Sequence, residues 1–121
     1  MQITRFEDIE AWQEARVLVK YIYGIVSSNK SFSQDYGLRE QIQRAAISIM
    51  SDIAEGYSRN TDKEFIHFLY IARGSVAEVQ SQLYVAVDLG YISQDAFNNS
   101  YIKASEVAKL LNGFIKYLKK D

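Results

Sequence analysis

Few residues in this sequence could do chemistry. Its single histidine, His67, has Lys63 and Ile71 four residues to either side, and only Glu64, three before it, could share a ligand. Two groups fall short of a zinc site, so His67 reads as a structural histidine. Glu55 and Glu78 stand close to apolar positions and could work as acid and base or hold two metals. Di-metal carboxylate bundles, however, draw Glu-x-x-His pairs from two helices, which one histidine cannot supply. The two acids read instead as structural partners for Arg39, Arg44 or Arg73. There is no cysteine, hence no thiolate ligand, nucleophile or disulfide, and neither a GxGxxG nor a Walker pattern. No catalytic residue, metal or cofactor is expected.

Charge is what remains. Lys plus Arg is 14 and Asp plus Glu is 15, giving a net charge of -1 and a pI near 5.8. That balance argues against a strongly basic nucleic-acid binder. The cations are nevertheless uneven: from Tyr91 onward there are five lysines, and the second helix adds three arginines. The candidates for phosphate contact are Arg39, Arg44, Arg59, Lys103, Lys109, Lys116, Lys119 and Lys120, which a ring of identical subunits would gather into one basic surface. Glu40, Asp52, Glu55, Asp95 and Glu106 interleave with them, so a mixed solvated face is the rival reading. A protein-binding scaffold using Tyr21, Tyr70 and Tyr84 is the alternative function.

Four amphipathic segments must position these groups. The first, from about Asp8 to Ser28, carries Ile9, Trp12, Val19, Tyr23 and Val26 at helical steps. SSNKSFSQDYG then reads as a loop. The second, from about Gly37 to Arg59, puts Leu38, Ile42, Ala45, Ala46, Ile49 and Ile53 on one face. Thr61 and Glu64 form a capping box for the third, where Phe65, Leu69, Ala72, Val76, Val79, Leu83 and Ala86 make a heptad seam ending at Gly90, a left-handed cap. Ser93 opens the fourth, with Phe97, Tyr101, Ala104, Ala108, Leu111, Ile115 and Leu118. With no proline and no strand-like alternation, the chain reads as one all-α domain over 1–121, an antiparallel up-down four-helix bundle. Gly56 and Gly74 each sit inside a helix at a cost, which points to close backbone approach or a kink.

The apolar faces are broad. Phe68, Ile71, Val85 and Leu89 add a second stripe to the third helix, and Val107, Leu110, Phe114 and Tyr117 add one to the fourth. Such width marks either self-association or simply the completion of a monomer core. The start, MQITRFEDIE, has early acids and no apolar stretch, so no secretory leader, no membrane segment and a cytoplasmic location are expected.

Four stretches, in order, carry a resemblance: FEDIEAWQEA, YGLREQIQRAAISIMSDIAEG, RNTDKEFIHFLYIARGSVAEVQSQL and DLGYI. Over residues 6 to 118 the chain resembles the four-helix bundle family encoded in intervening sequences of bacterial 23S ribosomal RNA genes. That family is related to the accessory variability protein of diversity-generating retroelements. The resemblance implies a non-enzymatic, barrel-like homopentamer. In the retroelement branch it implies a basic surface that binds RNA or DNA and a reverse transcriptase. The family's arginine pair in the second helix leaves Arg44 here beside Gln43. The proline and asparagine of the SIPSNIAEG-like stretch are Met50 and Asp52, and the arginine of the DKEFIRF-like motif is His67. Each departure lowers positive charge or swaps in a neutral group.

Overall fold

Most of the helices begin where a short polar side chain can take an amide that has no partner within the helix. In the computed structural model, which describes residues 2–120, Asn29 Oδ1 accepts from the Phe32 amide at 2.8 Å, Asp35 Oδ1 from Leu38 at 3.2 Å, Thr61 Oγ1 from Glu64 at 3.2 Å and Ser93 Oγ from Ala96 at 3.0 Å. These caps open α2 (Lys30–Gln34), α3 (Tyr36–Tyr57), α4 (Asp62–Asp88) and α5 (Gln94–Leu118). The capping box at Thr61 is half made: Glu64 reaches the threonine hydroxyl, at 3.4 Å, rather than a backbone amide. Helix α1 (Glu10–Ser27) has no side-chain cap; a 3₁₀ turn at Phe6–Asp8 leads into it. At the far end of α4, Gly90 takes φ 76°, the Tyr91 amide donates to Ala86 at 2.9 Å and the Gly90 amide to Val87 at 3.1 Å. That pattern is a Schellman motif.

The four long helices pack cyclically in the order α1, α3, α4, α5, with α1 closing against α5. The α3/α4 side of the bundle is therefore opposite the α1/α5 side. The expected seam of α4 is buried at every position from Phe65 to Ala86. On α3 the expected face is also buried, apart from half-buried Leu38.

Three elements differ from the sequence reading. The core face of α1 is Ala11, Ala15, Leu18, Ile22 and Val26, while Trp12 and Val19 are half-buried and Tyr23 is exposed. The supposed loop holds α2, whose Phe32 is fully buried and stacks on Tyr91 at 5.3 Å. The Tyr91 hydroxyl donates to Asp35 Oδ2 at 2.9 Å, tying the α4–α5 connection to the cap of α3. On α5, Val107 belongs to the core and not to a second stripe. Among the described residues no helix is long and apolar enough to cross a membrane.

The two in-helix glycines part company. A Cβ on Gly56 would stand 2.7 Å from Phe68 Cβ and 2.9 Å from Phe65 Cδ1, whereas one on Gly74 would meet nothing within 4 Å. Close approach therefore explains Gly56 and not Gly74. We expect Gly56→Ala to lower stability by about 1–2 kcal/mol, the overpacking cost exceeding the gain in helix propensity. Gly74→Ala should raise it by about 0.5–1 kcal/mol. Urea unfolding midpoints of the two variants would test both signs.

Candidate nucleic-acid interface

Helical periodicity turns Ile66, Tyr70, Arg73, Ala77, Gln80 and Tyr84 of α4 towards α5, and Asn98, Tyr101, Ser105, Ala108, Asn112, Lys116 and Lys119 of α5 towards α4. None of these residues is a carboxylate. Their contacts knit the two helices together. Lys119 Nζ donates to the Tyr70 hydroxyl at 2.8 Å, and Arg73 Nη1 donates to Asn112 Oδ1 at 2.8 Å. The Arg73 guanidinium lies 4.8 Å from the centroid of the Tyr70 ring, and Lys119 Nζ lies 5.3 Å from it. Midway along, Gln80 Nε2 donates to Ser105 Oγ at 2.9 Å. At the other end Tyr84 packs on Phe97 and Tyr101, with centroids 4.8 and 5.8 Å away.

The face thus runs from a cationic end, Arg73, Lys119 and exposed Lys116, through amides to an aromatic end. The hydrogen bond from Lys119 holds the Tyr70 phenol below its ordinary pKa, helped by the charges of Lys119 and Arg73 against partial burial. Donors, cations and aromatic rings without acids suit a polyanion that also offers flat groups.

The other sides of the bundle are mixed. Lys103 sits between Glu14 at 2.9 Å and Glu106 at 3.3 Å. Arg59 pairs with Glu55 at 3.1 Å and lies 4.6 Å from the centroid of the Phe68 ring. Arg39 donates to the Ser33 carbonyl at 2.9 Å and covers Tyr36. Arg44 lines a hollow of about 440 Å³ on the α3/α4 side with Glu40, Glu78 and Gln82. Lys109 borders an apolar groove of about 340 Å³ between α1 and α5. Of the eight sequence candidates, therefore, Lys116, Lys119 and Lys120 gather at the C-terminal end of α5, and the other five are spread over other sides.

The structure adds Arg73 and Asn112 to that cationic end and joins Tyr70 to it. A scan of α4 for a helical stripe lacking acids would have found its half of the face. The acids are placed differently than expected. Glu55 takes Arg59, and Arg73 takes Asn112, while Glu78 has no ion pair among the described residues. Asp52 is half-buried, and desolvation, with the Glu55 charge adding to it, raises its pKa. His67 is exposed, edge-on to Phe68 at 6.0 Å. Among the described residues no group of three or more His, Cys, Asp or Glu could hold a metal ion.

The family model for the 23S rRNA-intervening sequence protein matches residues 7–113. Among solved structures, the chain is similar to a protein with unknown function from the S23 ribosomal protein family of Bacteroides thetaiotaomicron VPI-5482. The two share 22% identity, the match covers 88% of this chain and 98% of that chain, and the TM-score is 0.81. At that identity the likeness speaks for the fold. Comparison with curated proteins gives no match.

Two titrations check the local electrostatics. Lys119→Met should move the Tyr70 phenolate transition to higher pH, and Arg73→Met should move it less, read as ultraviolet difference titrations against Tyr70→Phe. Asp52 has a raised pKa in the fold, so its protonated form is favoured there, and its contribution to stability is lost as pH rises above the unfolded value of 3.8. Asp52→Asn should therefore stabilise the protein at pH 7 relative to wild type, and the gain should shrink as the pH falls towards 3.8, in urea denaturation at each pH.

Proposed function

The chain belongs to the 23S rRNA-intervening sequence protein family, and we propose that it works as a non-enzymatic, homo-oligomeric helical module that holds nucleic acid on its α4/α5 face. The observation that carries this reading is the acid-free face itself: Arg73, Lys116 and Lys119 around Tyr70, continued by amides and by the Tyr84 cluster. Phosphates would sit at the cationic end, where attraction depends on local rather than net charge. Exposed rings and amides further along would meet unpaired bases, which favours single-stranded or looped RNA over a duplex.

Self-association is supported by the apolar side chains left at the surface, among them Ile71, Val85, Leu89, Val17 and Ile102. A pentameric ring is the assembly that the sequence resemblance implies. It would repeat the face once per subunit, so several weak contacts would act on one strand.

We expect the protein to bind single-stranded RNA at low salt, with log affinity falling linearly in log salt. Changing Arg73, Lys116 and Lys119 to Gln should reduce that slope by about 0.7 for each phosphate that is no longer neutralised. Arg59→Gln, which removes a cation already paired with Glu55, should leave the slope unchanged. RNA affinity undetectable at low salt would defeat the nucleic-acid half and leave the protein-binding alternative.

A further inference from the structure

The segment from Gln2 to Arg5 is tied down at a single point. The Thr4 amide and hydroxyl both donate to Asp8 Oδ2, at 3.0 and 3.1 Å. Arg5 Nε stands 3.7 Å from Asp8 Oδ1, and the Asp8 amide donates to the Arg5 carbonyl at 3.1 Å. Among the described residues, every polar contact of this segment ends on Asp8. The Thr4 amide does most to hold the Asp8 carboxyl below its ordinary pKa. Segments of this kind stay poorly ordered unless something fastens them.

What the fastening positions is Ile3. Gln2, Thr4 and Arg5 are exposed, whereas Ile3 is half-buried and packs against the core. It lines two hollows at once. One is the apolar groove of about 340 Å³ between α1 and α5, shared with Ile9, Ala11 and Leu110. The other, about 290 Å³, lies by the α3–α4 connection and is shared with Tyr57 and Phe65. Phe114 and Tyr117 line both. Ile3 therefore sits between the hollows, beside a run of rings with centroids 6.0 Å apart from Tyr57 to Phe65, 5.4 Å from Phe65 to Phe114 and 6.1 Å from Phe114 to Tyr117. Room is left beside it: a Cβ on Gly113, in the wall of the groove, would meet nothing within 4 Å.

We propose that residues 2–5 form a hinged strap with Asp8 as its latch, and that release of Ile3 joins the two hollows into one apolar channel over Phe114 and Tyr117. The strap swings on the 3₁₀ turn at Phe6–Asp8. That turn stays in place, because Phe6 packs edge-on to Trp12 at 5.2 Å and Gln13 Nε2 donates to the Glu7 carbonyl at 2.8 Å. Opening uncovers one apolar side chain and breaks contacts to one carboxylate, which puts it among the low-cost local motions of a fold. The strap makes no contact that the RNA reading uses, so the two stand independently.

Because the chain has no cysteine, Ile3→Cys supplies a unique thiol whose reaction with Ellman's reagent measures strap opening. This thiol should react more slowly in the folded protein than in urea. Adding Asp8→Ala should speed the reaction about fivefold or more, the worth of one net hydrogen bond, and Thr4→Val by a smaller factor. Ser100→Cys, a fully buried site on α5, should react at one slow rate with or without Asp8→Ala. Emission of the apolar probe anilinonaphthalene sulfonate should rise severalfold with Asp8→Ala and with Ile3→Asn. A thiol at position 3 that reacts as fast in the fold as in urea would show that no strap is docked. A rate unmoved by Asp8→Ala would remove the latch, and equal acceleration at Ser100→Cys would make the opening global. Probe emission unchanged by both variants would remove the channel.

Discussion

The bundle depends on how closely α3 and α4 approach. At Gly56 there is no room for even a methyl group before the Phe68 and Phe65 side chains, and further along the two helices Ala45 and Ser75 are small and buried. Small residues at a helix interface trade side-chain burial for backbone proximity, and interiors at crystal-like density punish any added atom. Because this pair is drawn together, the larger side chains of α4 divide. One set enters the core from Phe65 to Ala86, and two flanks are turned outward. The flank beside α3 carries Ile71, Glu78, Gln82 and Val85; the flank beside α5 carries Tyr70, Arg73, Gln80 and Tyr84.

The helix ends fix where those flanks lie along the axis. Thr61 starts α4 and the Gly90 Schellman turn stops it. Tyr91 then lands on Phe32 and donates to Asp35, which is itself the cap of α3. One carboxylate thus serves a helix start and a connection from the opposite end of the sequence. Each cap contributes about 1 kcal/mol, modest against the core. Their larger effect is on register, since a slip of one residue would rotate a helix by about 100° and exchange its core and surface faces.

Much of this was legible in the residues themselves. The α4 seam stands out because apolar residues recur without interruption over three heptads from Phe65 to Ala86, and Thr61, Ser93 and Gly90 mark ends by chemistry that needs no tertiary context. The α1 face was harder to see because its inward side is partly alanine, while Trp12 and Tyr23 drew attention to positions that are only half covered or exposed. Helix α2 lay hidden in a run rich in serine, where a single buried phenylalanine holds five residues in place. Gly74 resembled Gly56 in sequence, and only the neighbouring helix distinguishes them. The α4/α5 face could not be assembled from the sequence, because Tyr70 and Lys119 are 49 residues apart and Arg73 and Asn112 are 39 apart.

That separation also explains why net charge misleads here. Salt screens exposed charges beyond about 8 Å under physiological conditions, so a helical bundle about two helices across presents sides that act nearly independently. The acids that balance the total lie elsewhere: Glu40, Glu55 and Glu78 towards the α3/α4 side, Glu10, Glu14 and Glu106 towards the α1/α5 side. On those sides they are matched by Arg59, Lys103 or unpaired cations. The α4/α5 face carries no carboxylate among its residues from Ile66 to Tyr84 of α4, Asp62 standing one turn before them. A polyanion approaching from that side meets Arg73, Lys116 and Lys119 first, and the overall charge of -1 has little influence at that distance.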